Sequence, residues 1–519
     1  MYITFCDTTL RDGEQTPGVH FGIAQKLDIA KRLRAAGVDV IEAGFPASSP
    51  GDAEAVRRVA EAVGCPDADG RVCTVSALSR MMKSDIDITA KALAPAEKRR
   101  LHLFIATSDI HLENKLKITR AEALTKIRDC VTYAANLGAF DEIQFSAEDA
   151  TRSDFDFLAQ AVLLAVECGV TTVGIPDTVG YTTPSEITET FSKLRKILPD
   201  HVVLGTHCHN DLGLATANSL AALQAGAAYV ECTVNGLGER AGNAPFEEVV
   251  MALKVRGDSF GKNTFSCGVR TTEIAELSEL VASLSGVSPA PNKAIIGKNA
   301  FSHASGVHQH GVMQHRATYE IMNPADIGLT SGTIVLGKLS GRFAFVDRCK
   351  KLGYSLTPEG VDHCFGRFKE IADKKSVIAN EDIRAIVSEY LDSLEGRYWL
   401  NTFQIQSGNH IKAMALLTLD AKYPDGTAET ITEAAPGEGP IDAAFNAVNR
   451  IAGVTDAQLV SYNITAITEG TDALGEAKVK LKSGDTTYTG RGVSTDVIKA
   501  SIKAYLNAVN KLVNSAASG

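Results

Sequence analysis

Residues 24–43, AQKLDIAKRLRAAGVDVIEA, run as a helix-period segment to Gly37 and then as a short Val/Ile-rich stretch, Val38–Ala43. The same passage returns at residues 124–145, where LTKIRDCVTYAANLG precedes Glu142–Phe145. Glycine after the last apolar turn is the expected helix stop, because it enters the left-handed region without steric cost. Reading outward, further apolar runs fall at Ile3–Phe5, Val72–Val75, Leu101–Ile105, Thr172–Ile175, Val202–Gly205 and Tyr229–Thr233. Continuous apolar runs suit strands buried on both faces, and their alternation with helices predicts a parallel sheet. Eight such units over about 250 residues predict an α/β fold closed into a (β/α)8 TIM barrel. An open doubly wound sheet is the structural alternative.

A barrel gathers the C-terminal ends of its strands at one mouth, where active sites form. Asp7, Arg11 and Asp12 follow the first strand, Glu42 ends the second and Ser76 follows the third. His102 lies in the fourth, Glu148 follows the fifth, and Asp177 and Thr178 follow the sixth. His207 and His209 follow the seventh, and Asn235 and Asn243 the eighth. Singly, each reads as a cap or a loop hydrogen bond; their convergence predicts a site. His207-Cys208-His209 sets two imidazoles two residues apart, so on an extended chain both face one side. With Asp12 across the mouth they form a candidate divalent-metal site. Nitrogen and oxygen ligands without a thiolate leave Mn²⁺, Mg²⁺ and Zn²⁺ open. The glycine-rich run Gly236–Gly242, GLGERAG, is no dinucleotide fingerprint: its third glycine comes one place late, after the last strand of the series.

Composition bounds the remaining classes. The chain has 519 residues, 45% hydrophobic and 22% charged, which is the make-up of a folded globular protein. A net charge of −10 without a basic tract argues against binding nucleic acid or anionic lipid. No apolar run reaches the length of a membrane span. MYITFCDTTLRDGEQ lacks the basic and apolar regions of a secretion signal. Ten scattered cysteines, none in C-x-x-C, predict reduced buried thiols in the cytoplasm.

Beyond the barrel, SLSGVSPAPNKAIIGK (283–298) reads as a boundary, and helical segments continue to about Leu394. The expected domains are 1–285 for the barrel, 286–394 for helical linker subdomains, and 395–519 for a C-terminal α+β domain. The last contains a two-fold repeat: Asn446-Ala-Val-Asn-Arg-Ile451 echoes Asn507-Ala-Val-Asn-Lys-Leu512 61 residues later. Each copy reads as a strand pair, then Gly, then an amphipathic helix. The strand pairs are ALLTLDA with TAETITEAA, and AKVKLKS with TTYTGRG.

Asp7–Gln15 (DTTLRDGEQ), GTHCHNDLGLATANSLAALQAGA and NGLGERAGNAPFEEV resemble the metal-dependent barrel enzymes that condense an acyl-CoA with a 2-oxoacid. Among these synthases for 2-isopropylmalate, homocitrate and citramalate, GFPASSPGD, FSAEDATRSD and IPDTVGYTTP most resemble the 2-isopropylmalate synthases. The likeness continues through SGVHQHGV, YEIMNPADIG and LGKLSGR.

The resemblance implies a Claisen-type condensation of acetyl-CoA with 3-methyl-2-oxobutanoate and hydrolysis of the thioester, the first committed step toward leucine. A synthase for another 2-oxoacid, giving citramalate or homocitrate, is the nearest alternative. A metal-dependent C–C lyase is a second; the C-terminal repeat argues against it, because such lyases resemble only the barrel. The resemblance also implies roles. Asp12, His207, His209 and Asn243 hold the metal, and Arg11 polarises the keto oxygen. Glu148, Thr178 and His102 line the substrate pocket, and burial of Glu148 would favour acid–base use. His308, with Tyr319 as companion, is implied to reach the barrel mouth of a partner subunit, which makes a homodimer the expected assembly. Where the family usually reads HQDG, this chain has His310, which removes an acid beside His308. The loop Gly437-Glu-Gly-Pro-Ile-Asp-Ala443 resembles the GxGPxDA loop of a leucine-sensing domain, so Gly437, Gly439, Pro440 and Asp442 are the expected regulatory positions and leucine the expected feedback inhibitor.

Overall fold

The computed structural model describes the chain except residues 68–69, 261–264, 331–335, 374–377, 395, 424, 467–474, 485 and 518–519. The chain divides into two compact units, one of Met1–Phe301 with Glu320–Gly332, the other of Ser302–Tyr319 with Thr333–Gly519. The expected domain limit at 395 lies outside the described residues.

The first unit is a closed barrel of eight parallel strands in sequential order. They are β1 (Thr4–Asp7), β2 (Val40–Glu42), β3 (Thr74–Arg80), β4 (Arg99–Ala106), β5 (Glu142–Glu148), β6 (Thr172–Asp177), β7 (Val203–Cys208) and β8 (Tyr229–Cys232). Closure is made by β1 on β8, with Asp7 opposite Cys232. The helix Ile23–Ala35 buries Lys26, Ile29, Ala30 and Leu33, one stripe at helical spacing, against the barrel. The helix Arg120–Leu137 starts at a capping box between Thr119 and Glu122 and stops at Gly138 in the left-handed region.

All eight expected strands form, and several run further toward the mouth than the apolar runs indicate. Ser76 lies inside β3, Glu148 and Asp177 are the last residues of β5 and β6, and His207 is inside β7. The strands extend through these polar residues because the backbone ladder to the adjacent strand continues there, pairing Ser76 with Arg100, Glu148 with Ala106 and Asp177 with Cys208. Register sets those neighbours: His102 stands opposite Gln144, and His207 opposite Glu231. Of the ten free cysteines most are buried as expected, but Cys65 is exposed.

In the second unit, helices Arg342–Lys351, Pro358–Ala372 and Asn380–Leu394 share a core around Phe345, Phe368, Ile383 and Val387. Two three-stranded antiparallel sheets follow. One holds β9 (Tyr398–Gly408), β10 (Ile411–Lys422) and β11 (Ala428–Gly437); the other holds β12 (Gln458–Ala466), β13 (Gly475–Ser483) and β14 (Thr486–Ser494). Each repeat therefore has three strands, one more than the expected pair, and a helix, Pro440–Ala452 or Val497–Ala517. The repeat is kept in detail. Asn446 Nδ2 donates to Pro436 O, and its counterpart Asn507 donates to Arg491 O. The two helices share one core, where Phe445 stacks on Tyr505 at 4.0 Å. Among the described residues, no helix is long and apolar enough to cross a membrane.

Candidate active site

The turn after β1 carries Arg11 and Asp12 to the mouth; β7 carries His207, and His209 stands just past its end. His207 and His209 point to one side, with their Nε2 atoms 3.1 Å apart. Asp12 Oδ2 lies 3.4 Å from His207 Nε2. Asn243 is brought in by the glycine-rich loop: the loop folds back so that Asn243 bridges to His209 and Ala244 N donates to Cys208 O. Gly242 has a positive φ and no room for a Cβ against Gly236 O, so the tight fold of GLGERAG serves this return. Asn243 Nδ2 donates to Asp12 Oδ1 at 3.1 Å and to Leu237 O at 2.9 Å.

These residues fit a divalent ion. Asp12, His207 and His209 are all buried and offer ligand atoms within 4.8 Å of one another. Ligands about 2.1 Å from a common ion and at right angles stand about 3 Å apart, close to the spacing seen. Asn243 Oδ1 is buried without a hydrogen-bond partner among the described residues, as a ligand oxygen would be before its ion arrives. Burial, and then the neighbouring His207, push the pKa of His209 down to about 3, so its lone pair stays available. Burial opposes the charge on Asp12, but Arg11, His207 and His209 outweigh it and hold the carboxyl well below the usual range.

Behind these residues stands a second tier. Arg11 donates through Nη1 to Asp12 at 2.7 Å and through Nε to Glu42 at 2.5 Å. His102 lies with Nδ1 2.5 Å from Glu42 Oε1 and Nε2 2.7 Å from Ser146 Oγ. Glu231 Oε2 lies 2.9 Å from His207 Nδ1. Burial opposes the charge on Glu231 too, but His207, His102 and Arg11 hold its pKa at about 2. Of these residues, Glu42 is legible in the sequence as a strand-end acid, whereas Glu231 and Gln144 carry no strand-end signal. The available signal for Glu231 was a lone acid within the otherwise apolar run Tyr229–Thr233.

Arg11, Asp12, His102, Glu148, Thr178, His207 and His209 line one cavity of about 300 Å³, walled also by Leu78, Phe104 and Pro176. Glu148 is not the buried carboxyl that acid–base use would favour: its side chain is 19% exposed and accepts from Lys115 Nζ. Thr178 Oγ1 accepts from Asp149 N, which fixes it at the rim. Arg240 ties this rim together, donating to Thr178 O and to both carboxylate oxygens of Asp211. Asn235 turns away and bonds with Ser278.

His308 and Tyr319 belong to the second unit. His308 lies on the helix Gly306–Gln314, and its ring stacks on Tyr319 at 4.2 Å. His310 packs edge-on against Phe343. In the C-terminal repeat, Gly437 ends β11, Gly439 precedes the helix that begins at Pro440, and Asp442 Oδ2 accepts from Glu438 N at 2.9 Å. Gly437 has no room for a Cβ against Ala443 N.

Family profiles match over residues 2–281 (HMGL-like), 295–376 (homocitrate synthase post-HMGL domain-like) and 377–513 (LeuA allosteric (dimerisation) domain). A 2-isopropylmalate synthase of Ruminiclostridium cellulolyticum is 48% identical, over 99% of this chain and 97% of its own. One from Carboxydothermus hydrogenoformans is 49% identical over 98% and 97%, and one from Pyrococcus furiosus 47% identical over 98% and 99%.

Proposed function

The chain belongs to the 2-isopropylmalate synthase family, and from that premise we propose that its barrel mouth condenses acetyl-CoA with 3-methyl-2-oxobutanoate, giving 2-isopropylmalate and free coenzyme A. The observation that carries this reading is the buried Asp12–His207–His209 cluster at the mouth, with the unpartnered Asn243 Oδ1 beside it.

A divalent ion held by Asp12, His207, His209 and Asn243 would act as a Lewis acid toward the 2-oxoacid; Mn²⁺, Mg²⁺ and Zn²⁺ all suit this donor set. Arg11 is held by Asp12 and Glu42 and adds positive charge where the keto oxygen becomes an alkoxide, without reorganising as the reaction proceeds. Leu78, Phe104 and Pro176 give the cavity an apolar wall suited to a branched alkyl group. His102 and Thr178 contact the oxoacid in this reading. Proton handling at the acetyl methyl group and the thioester falls to Glu148, which lines the cavity although it is not fully buried, and to His308, backed by Tyr319, the last two supplied by a second copy in a homodimer. Leucine binds at the Gly437, Gly439, Pro440 and Asp442 turn and inhibits. The parts are a barrel (1–285), a linker (286–394) and a C-terminal regulatory and dimerisation domain, working in the cytoplasm.

The test is thiol release from acetyl-CoA over a panel of 2-oxoacids, before and after exhaustive chelation. The expected result is a preference for 3-methyl-2-oxobutanoate, loss on chelation and recovery with a divalent ion. Preference for pyruvate or 2-oxoglutarate would replace the substrate; full activity with elemental analysis showing no metal would remove the metal role.

A further inference from the structure

Inside the barrel a ring of polar side chains closes on itself. Arg11 joins Asp12 to Glu42, and Glu42 faces His102 Nδ1. Gln144 Nε2 lies 3.2 Å from His102 Nε2 and donates to Glu231 Oε1 at 2.5 Å. Glu231 faces His207 Nδ1, and His207 Nε2 returns to Asp12. The metal-ligand cluster is therefore one arc of a ring, and Gln144 stands on the opposite arc.

Gln144 is fully buried, and its neighbours settle which way its amide points. Arg100 Nη1, 3.4 Å from Oε1, can only donate, and Tyr229 OH donates to the same oxygen at 3.1 Å. Glu231 as a carboxylate can only accept, so it faces the nitrogen. One amide hydrogen is then directed at Glu231 and the other at His102 Nε2, 3.2 Å away, and Ser146 Oγ, 3.4 Å away, two atoms that lie 2.7 Å from each other. With the Gln144 amide and the Ser146 hydroxyl both donating to it, His102 Nε2 accepts, and the ring proton sits on Nδ1 toward Glu42. The barrel makes room for this arrangement. A Cβ on Gly174 would collide with Ser146 Oγ, and one on Gly205 with the Tyr229 ring.

We infer that Gln144 is a positioning residue that holds Glu231 against His207, so that Nε2 of His207 is presented to the ion, and holds His102 as the Nδ1–H tautomer. It acts through those residues and touches neither ion nor substrate. The inference rests on the metal-dependent reading above. A carboxylate on the far nitrogen of a ligating histidine typically governs metal affinity by about 10- to 100-fold. Here the amide governs the carboxylate.

The experiment compares full-length wild type, Gln144→Glu, Glu231→Gln and the double exchange. Mn²⁺ affinity is measured calorimetrically on chelator-stripped protein, with thermal melting of the metal-free form and kcat and KM for the 2-oxoacid. Gln144→Glu replaces the donor to Glu231 with a second carboxylate and is expected to weaken Mn²⁺ binding about 10- to 100-fold. The double exchange restores an amide-to-carboxylate contact, now with an amide oxygen facing His207. It is expected to bring affinity back to within about threefold of wild type. KM for the oxoacid should stay raised, because position 144 no longer donates to His102. A general packing defect would not be repaired by the exchange. If Gln144→Glu does not fold, Gln144→Met removes the same donors without adding charge, and its affinity decides. Unchanged Mn²⁺ affinity in a folded position-144 variant, or no recovery in a folded double exchange, overturns the inference and leaves the metal reading standing. A wild type that binds no divalent ion overturns both.

Discussion

Asp12 keeps its charge in a buried place because Arg11 lies against it and His207 stands beside it. That arrangement spends polar groups on function, not stability. His207→Ala is expected to keep the native fold while lowering kcat by at least about 1000-fold, since losing a Lewis acid costs several kcal/mol of transition-state stabilisation. Circular dichroism and the thiol-release assay measure the two sides. A second residue-scale expectation concerns Glu247. Burial pushes its pKa up to about 7, and its Oε1 has no hydrogen-bond partner among the described residues. An acid whose folded pKa lies above its unfolded one binds more protons when folded, so it costs stability as pH rises from about 4 through about 7. Glu247→Gln supplies an amide there that never ionises. It should flatten that decline, gaining on wild type in urea midpoint at pH 8 more than at pH 5.

At the scale of elements, strand and helix identities follow from local pattern, and their limits do not. Continuous apolar runs announce β1 to β8, yet β3, β5, β6 and β7 all extend into polar residues whose partners come from adjacent strands. β9 and β12 escaped the periodicity reading because each is largely exposed along its length. Helix stops are more legible: Gly138 closes the helix Arg120–Leu137 in the left-handed region, and the capping box of Thr119 and Glu122 starts it. Thr119→Ala should cost about 1 kcal/mol, read as a lower urea midpoint of the barrel with unchanged KM. Gly205→Ala should cost about 1–3 kcal/mol by overpacking against Tyr229. Because Tyr229 donates to Gln144, that variant should also weaken metal binding, which Thr119→Ala should not.

For the whole molecule, the proposed catalysis and control call on parts far apart in sequence. His308 lies outside the eight barrel units. In a homodimer that shares its sites, mixing inactive His308→Ala with inactive His207→Ala chains should return about a quarter of wild-type activity, because half the sites of each mixed dimer are complete. No return after verified subunit exchange would mean each site uses its own chain. Leucine inhibition should be non-competitive with the oxoacid, with coupling of about 1–3 kcal/mol. Asp442→Ala removes the acceptor that fixes the turn at Glu438 and should relieve inhibition while leaving uninhibited kcat within about twofold. Inhibition kinetics on both proteins decide this.

The sequence by itself determined the barrel, the order of its strands, the helical linker segments, the C-terminal repeat and the facing pair of His207 and His209. Each is written in spacing: apolar runs between helix periods, an i, i+2 pair on an extended strand, a motif returning after 61 residues. Only the tertiary structure decided which polar side chains meet inside the barrel. Gln144 and Glu231 are 87 residues apart in the chain and in direct contact in the fold. Glu42 and His102 are separated by 60. Such pairs depend on register and closure of the sheet, which place His102 beside Gln144 and His207 beside Glu231. That register is set by packing summed around all eight strands, so no local stretch of residues carries it.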